Sequence, residues 1–289
     1  MAVWHQRLAE TAAGNFHVND ACIDCTTCTW VAPAVFAQGE GVSYVTRQPA
    51  GAESLLRAQM ALLACPVAAI ETTEKHNLAP ARDAFPDPVD GPVHHCGFHA
   101  SASYGAASWL VLRPGGNILI DSPRFTPALV RRIEAMGGIA TMFLTHRDDV
   151  ADHARFAAHF GCERVMHAAD IGPRTREVET PVDGIEPIAL SDGVTVIPVP
   201  GHTRGSACLL IDETWLFTGD HLEWDPLTQQ LNARREVCWY DWAEQTASME
   251  RLAAFRFEWV FPGHGHRGHL PADTMCRDLA RCVERMRVS

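Results

Sequence analysis

Cys22-Ile-Asp-Cys25-Thr-Thr-Cys28 sets three thiols on one short stretch, and a distant cysteine, Cys65, stands directly before Pro66. No other feature limits the fold as much. Ligands so closely spaced must wrap a single centre, and the fourth must bring the chain back to it. Thiolates are soft ligands, and four of them complete the shell of a 4Fe–4S cluster. The opening Met1-Ala-Val-Trp-His-Gln-Arg7 lacks the apolar core of a signal peptide. Ten cysteines in such a chain favour metal ligation over disulfides and a cytoplasmic setting.

The spacing also limits the cluster count to one. In two-cluster bacterial ferredoxins the cysteine run continues to a cysteine before proline, which serves the other cluster. Here that position is Ala32, before Pro33. Counting back from Cys65, the ligands of a second cluster would fall on Leu55, Ala58 and Ala61. The stretch Glu53 to Ala64 lacks Gly and Pro and repeats apolar residues at helical spacing, so a helix is expected where the second cluster would lie. Zinc sites usually pair two C-x2-C knuckles, unlike this pattern of three plus one. Residues 16–73 resemble a single-cluster bacterial ferredoxin, through Cys22 to Phe36 and the Cys65-Pro-x-x-Ala-Ile70 ending. The resemblance implies an α+β ferredoxin-like domain over residues 1–75 with Cys22, Cys25, Cys28 and Cys65 as cluster ligands. So small a domain buries little apolar surface, and the cluster is expected to hold its fold together.

Residues 76–93, with Pro80, Pro86, Pro88 and Pro92 and no apolar period, read as an extended linker. Beyond it, strands are expected at Leu110–Arg113, Asn117–Asp121, Ile139–Leu144, Thr195–Val199, Trp215–Thr218 and Trp259–Phe261. Helices are expected from Thr126-Pro127 to Gly137, through about Phe160, from Asp241 to about Ala254, and over 272–287. Several of these strands run into a His or Asp: His146, His202, Asp220 and His264. Side chains at strand ends converge on one rim of a sheet, which assembles a metal site from distant positions.

Gly201-His202-Thr-Arg-Gly-Ser206, Phe217-Thr-Gly-Asp220 and Pro262-Gly-His264-Gly265 occur in that order, downstream of Thr145-His146-Arg-Asp148-Asp149-Val-Ala-Asp152-His153. In this combination residues 94–289 resemble the metallo-β-lactamase superfamily. The resemblance implies an αββα sandwich, His146 and His202 on a first metal, a bridging Asp220, and His264 on a second metal. Against the superfamily's H-x-H-x-D-H, the middle His is replaced by Asp148 and the segment is two residues longer. Asp148 or Asp149 is therefore a candidate carboxylate ligand, with helix capping the alternative for each. Asp152 and His153 stand for the terminal pair, with Asp152 also the expected catalytic residue that orients or deprotonates water. Two imidazoles and a carboxylate suit iron as well as zinc, so one or two ions of either metal are expected.

His94, His95 and His99 around Cys96 are read as structural, with His95 or His99 also candidates for the site mouth. His221 is read as supporting the metal ligands from behind. Cys162, Cys208, Cys238, Cys276 and Cys282 are read as buried small hydrophobes, and Trp224, Trp239, Tyr240 and Trp242 as core and pocket wall. A formal charge of −11 argues against nucleic acid or an anionic membrane as partner, and the apolar run Met60–Ile70 is too short to span a bilayer. Three functions stay open: a metal-dependent hydrolase of a small substrate; a redox enzyme in which the cluster, served by a redox partner protein, feeds an iron site; and a non-catalytic electron-transfer module on a degenerate scaffold.

Overall fold

The computed structural model describes residues 5–288; residues 1–4 and 289, at the outer ends of the expected domains, lie outside the described residues. The chain divides into two compact units, the first reaching to Asn117 and including Ser122–Ile139, the second made of Ile118–Asp121 and the chain from Ala140 on.

The first unit begins with β1 (Phe16–Val18), α1 (Thr27–Val31), β2 (Phe36–Gln38), β3 (Ser43–Val45), α2 (Gly51–Ala64) and β4 (Ile70–Thr72). β1 pairs antiparallel with β4, Phe16 opposite Thr72, and β2 with β3. The first pairing closes the cysteine-bearing segment on itself. α2 is the helix expected over Glu53–Ala64, extended by two residues at its start. It buries Ala58, Met60, Ala61 and Ala64, while Leu55 and Leu62 stay half-buried. Small side chains on that face let α1 approach closely. The helix stops at Ala64 because a residue before proline is pushed out of helical geometry, and Cys65 has φ −56° and ψ 119°.

The segment read as a linker is structured. It folds into α3 (Ala79–Asp83) and β5 (Asp87–Asp90) before β6 (Val93–His95). Pro80 is accepted in the first turn of α3, and Pro88 in β5, the last strand of its order, where a missing N–H costs no ladder bond. β5 pairs antiparallel with β6, and β6 with β7 (Trp109–Val111). Arg57 of α2 grips Asp87 of β5 at 2.5 Å. α4 (Pro127–Ala135) completes the unit, capped by Thr126 as expected.

In the second unit β8 (Ile118–Ile120), β9 (Thr141–Leu144), β10 (Glu163–His167) and β11 (Thr180–Val182) run parallel in that order, with α5 (His153–Phe160) between β9 and β10. The second sheet takes β12 (Ile188–Ser191), β13 (Val194–Pro198), β14 (Ala207–Ile211) and β15 (Trp215–Gly219), then two later strands, Trp259–Pro262 and Gly268–His269. A hairpin, β16 (Glu223–Asp225) and β17 (Gln230–Asn232), and α6 (Trp242–Leu252) precede β18 (Trp259–Pro262), β19 (Gly268–His269) and α7 (Ala272–Val288). Met249 and Leu252 of α6 and Met275, Leu279 and Met286 of α7 bury against Ile197, Leu210, Leu216 and Val260 of that sheet. The Ala207 N–H donates to the Thr145 carbonyl at 2.9 Å, tying the start of β14 to the end of β9. No helix among the described residues is long and apolar enough to cross a membrane.

Candidate functional site

Two sites emerge, one in each unit. In the first, Cys22, Cys25 and Cys28 occupy the loop after β1 and the start of α1, and Cys65 the end of α2. Their side chains line one pocket together with Val18, Ile70 and Ser43. Two amide donors face the sulfurs, Ser43 N–H reaching Cys22 Sγ at 3.4 Å and Ala69 N–H reaching Cys65 Sγ at 3.2 Å, and the Cys25 thiol points at Thr27 Oγ1 at 3.5 Å. Burial pushes the Cys25 and Cys28 thiols up, so bound iron is what would hold these sulfurs as thiolates. Four sulfurs converging on one space, with amide donors turned toward them, fit an iron–sulfur cluster.

In the second unit five strand ends supply one cluster. β8 runs into Asp121, β9 into His146, β13 into His202, β15 into Asp220 and β18 into His264. The Asp220 Oδ2 lies 3.7 Å from both His146 Nε2 and His202 Nε2. Asp149 Oδ2 is 3.9 Å from His146 Nε2, and Asp148 Oδ2 is 3.9 Å from His202 Nε2. His146, Asp148 and His202 form one group with ligand atoms within 4.8 Å of one another, and His146, Asp149 and Asp220 form another. These separations are too long for hydrogen bonds. They approach the roughly 3.4 Å between neighbouring tetrahedral ligands each about 2.1 Å from one ion. His264 Nδ1 sits 2.9 Å from both Asp220 oxygens.

Unmet polar atoms mark the same spot. Both Asp149 oxygens, His146 Nε2 and both His202 ring nitrogens are buried without a hydrogen-bond partner. A buried, unpartnered carboxylate is costly, and a cation is the group that removes the cost. Burial, then the neighbouring Asp220, pushes the Asp149 carboxyl well above the usual range. Burial acts the same way on Asp220, but His264 and then His146 and His202 outweigh it and hold that carboxyl low. Burial lowers His146 to about 4, leaving it neutral, the form that ligates. Gly263 is the contact that makes room: a Cβ there would lie 2.5 Å from Asp149 Oδ2 and 2.8 Å from Asp220 Oδ1. The donor set fits a divalent ion.

Two residues of the expected set do not join this cluster. The chain between His146 and α5 forms turns, and the helix begins at His153 rather than Asp149. Asp152 therefore lies at the N-cap, beside Arg155 at 3.5 Å. His153 turns to the Arg174 carbonyl at 3.1 Å and to Arg164 at 3.2 Å. Asp148 and Asp149, in the turn before the helix, are the two carboxylates of this segment that stand near His202 and His146, whereas Asp152 and His153 contact Arg155, Arg164 and Arg174.

Other residues support the site without a sequence signal having named them. Thr145 donates its N–H and hydroxyl to Asp121 at 2.9 Å, and its oxygen lies 2.9 Å from His146 Nδ1. With the hydroxyl proton committed to Asp121, Thr145 accepts from His146 Nδ1–H, which leaves Nε2 bare toward the cluster. Burial pushes the Asp121 carboxyl up to about 8. Asp170, after β10, accepts from Arg147 N–H at 3.0 Å and the Thr203 hydroxyl at 2.5 Å on one oxygen, and from Gly205 N–H at 2.8 Å on the other. It thereby clamps the loops that carry His146 and His202. Asp121 ends an apolar strand, so the strand-end rule that found His146 extends to it; Asp170 carries no such mark. His221, which the sequence did single out, follows Asp220 and is buried with both ring nitrogens unpartnered among the described residues.

His95 and His99 are buried in the first unit among Trp30, Phe85 and Trp109, and His94 turns to the Pro92 carbonyl. Cys162, Cys208 and Cys282 are buried as expected, but Cys238 and Cys276 are half-buried. Trp224 is core, whereas Trp239 and Tyr240 are 62% and 50% exposed. Their N–H groups both bond the His202 carbonyl, which sets these two rings at the rim.

Known proteins share both halves of this architecture. Residues 18–72 match the family described as the 4Fe-4S single cluster domain of Ferredoxin I. The hydroxyacylglutathione hydrolase of Acidiphilium cryptum (strain JF-5) is 32% identical over 120 residues, 40% of this chain and 48% of that protein. The chain thus matches about half the length of this relative. Among solved structures, DIM-1 metallo-β-lactamase superposes with a TM-score of 0.51 at 14% identity, over 68% of this chain and 95% of that one. TMB-1 gives 0.52 at 16% identity, over 69% and 96%. The fold that carries the strand-end cluster is the metallo-β-lactamase fold. The protein as a whole joins a ferredoxin-type 4Fe–4S domain to a domain of that fold.

Proposed function

We propose that this protein is a metal-dependent hydrolase of a small substrate that also carries one 4Fe–4S cluster. The observation that carries the reading is the convergence of His146, Asp148, Asp149, His202 and Asp220, with buried ligand atoms on His146, Asp149 and His202 that have no hydrogen-bond partner among the described residues. His146, Asp148 and His202, with Asp220, would hold one ion; Asp149, Asp220 and His264 border a second position. A divalent ion there supplies Lewis acidity, polarising a carbonyl or phosphoryl oxygen.

The protein's own groups do the rest. The Asp121–Thr145 relay fixes the His146 tautomer. Asp170 holds the two ligand loops in register. Asp148, with its side chain 48% exposed, faces the solvent side of the cluster. Trp239 and Tyr240 offer an apolar rim for the non-reacting part of a substrate. The relative from Acidiphilium cryptum is a hydroxyacylglutathione hydrolase, which makes thioesters the first class to try, since fold alone does not fix chemistry.

Anaerobically purified protein should contain metal beyond the cluster iron and hydrolyse a thioester or ester panel, and His202→Ala should lose both that metal and the turnover. Protein that binds no zinc, manganese or iron beyond the cluster overturns the reading. A second reading, an iron site supplied with electrons by the cluster, rests on the oxygen-rich donor set, with three carboxylates beside three imidazoles, which suits iron and manganese better than zinc. It predicts iron above the cluster's stoichiometry, with spectra that change on reduction.

A further inference from the structure

The cluster cradle continues into a buried chain of polar groups that neither a hydrolase nor a simple electron carrier requires. Thr27 Oγ1 lies 3.5 Å from Cys25 Sγ and 3.1 Å from His99 Nδ1. His99 Nδ1 lies 2.6 Å from the Gly105 carbonyl, and His99 Nε2 lies 2.7 Å from His95 Nε2. Gly105 itself presses on the cradle: with φ +89°, a Cβ there would lie 2.7 Å from Cys25 Cβ.

Donor and acceptor rules fix the protons. A carbonyl only accepts, so His99 carries its hydrogen on Nδ1 and presents a lone pair at Nε2. His95 must then donate from its own Nε2. One further proton turns this imidazole pair into an imidazolium–imidazole pair, with a single proton still between the facing nitrogens. Both rings are 1% exposed; burial by itself disfavours the charged form, and the negative charge added to the cluster is what would offset that.

We propose that the His95–His99 pair is the proton acceptor of the 4Fe–4S cluster: when a low-potential one-electron donor reduces the cluster, the pair takes up one proton from solvent. The electron stays on the cluster, the proton on the imidazoles, and no other bond changes. An added electron favours a cation nearby, and in a desolvated setting that attraction is weakly screened. The groups facing the pair leave it as the natural acceptor. From α1 come Thr27 and Trp30, from β7 Trp109, and from the end of α3 Phe85. Asp87 stands across from His95 on β5 but is held by Arg57. Burial pushes the Cys96 thiol up to about 12, so it remains uncharged.

The inference rests on Cys25 being a cluster ligand, and the test separates the two claims. The full chain is purified anaerobically and its cluster verified by absorbance and by the electron paramagnetic resonance of the reduced state. A protein without those signatures refutes the cluster. With the cluster present, its reduction potential is measured by spectroelectrochemistry from pH 5.5 to 9. The expected profile contains a range in which each pH unit shifts the reduction equilibrium tenfold, or 59 mV for a one-electron couple. His95→Gln and His99→Gln should flatten it. A flat native profile overturns the proposal, as does a slope that survives in both variants. Proton uptake by the native protein in weak buffer gives a readout that does not depend on the variants. Close to one proton per electron within the sloping range supports the pair, and none overturns it.

Discussion

Asp170 touches no candidate metal ligand side chain, yet its replacement should weaken metal binding. Its carboxylate accepts three hydrogen bonds, from Arg147 N–H and the Thr203 hydroxyl on Oδ2 and from Gly205 N–H on Oδ1. In Asp170→Asn the carbonyl oxygen serves the side with two donors, and the amide NH2 is left facing the Gly205 N–H, which cannot accept. One bond to a charged group is lost, worth about 1.5–3 kcal/mol. Asp170→Ala strands all three donors, and its cost of roughly 3–9 kcal/mol, at about 1–3 for each, is a large share of the ~5–15 kcal/mol that holds an ordinary domain together. Because the lost bonds fix the loops carrying His146 and His202, the Asn variant should also bind metal about 10–100-fold more weakly. Chelator competition gives the affinity, and thermal unfolding with and without saturating zinc gives the stability. A variant that melts earlier but binds metal within twofold of the native protein would refute the clamp and leave Asp170 with a purely structural part.

Gly263→Ala should abolish or strongly weaken metal binding while leaving the iron–sulfur absorbance intact, because its methyl group would occupy the space between Asp149 and Asp220; metal analysis by mass spectrometry reads it, and native metal content would contradict the geometry. Burial places the Asp121 carboxyl at about 8 in the folded chain, above its ordinary 3.8. The folded state therefore holds the extra proton between those values, and chelator-treated protein should lose stability as pH rises from about 4 to about 8. Melting temperatures at pH 5 and 8 check this, and Asp121→Asn should show a smaller drop. Oxidative removal of the cluster should unfold residues 16–73, seen as a loss of helical circular dichroism; an unchanged spectrum would show that the small core suffices by itself.

Local patterns carried much of this architecture. The cysteine spacing located the cradle, a twelve-residue stretch without Gly or Pro located α2, and Thr126 and Asp241 marked the starts of α4 and α6 because a cap is a contact between near neighbours. His146, His202, Asp220 and His264 were legible for a similar reason: each follows an apolar strand, and the strand dictates where its end points. What stayed hidden depended on distance or on a turn. Asp152 and His153 matched a motif by counting, but the turn between His146 and α5, where Ala151 has a φ of +26°, resets the register. Asp170 and Thr203 are 33 residues apart in the chain, and nothing local announces their bond. The strand β5 was hidden by Pro88 within it, which an outermost strand tolerates and an inner one does not.

The shared first unit has a practical corollary for anyone wishing to take the protein apart. Thr27 leans on His99, Trp30 stacks on Trp109, Arg57 grips Asp87 and Arg124 bonds the Leu63 carbonyl. A cut at residue 75 would sever all four links at once, a cut at 93 all but the Arg57–Asp87 pair, and either would bare the underside of the cysteine loop. The iron–sulfur portion is thus no detachable cartridge: a fragment meant to keep its colour has to run on through α4.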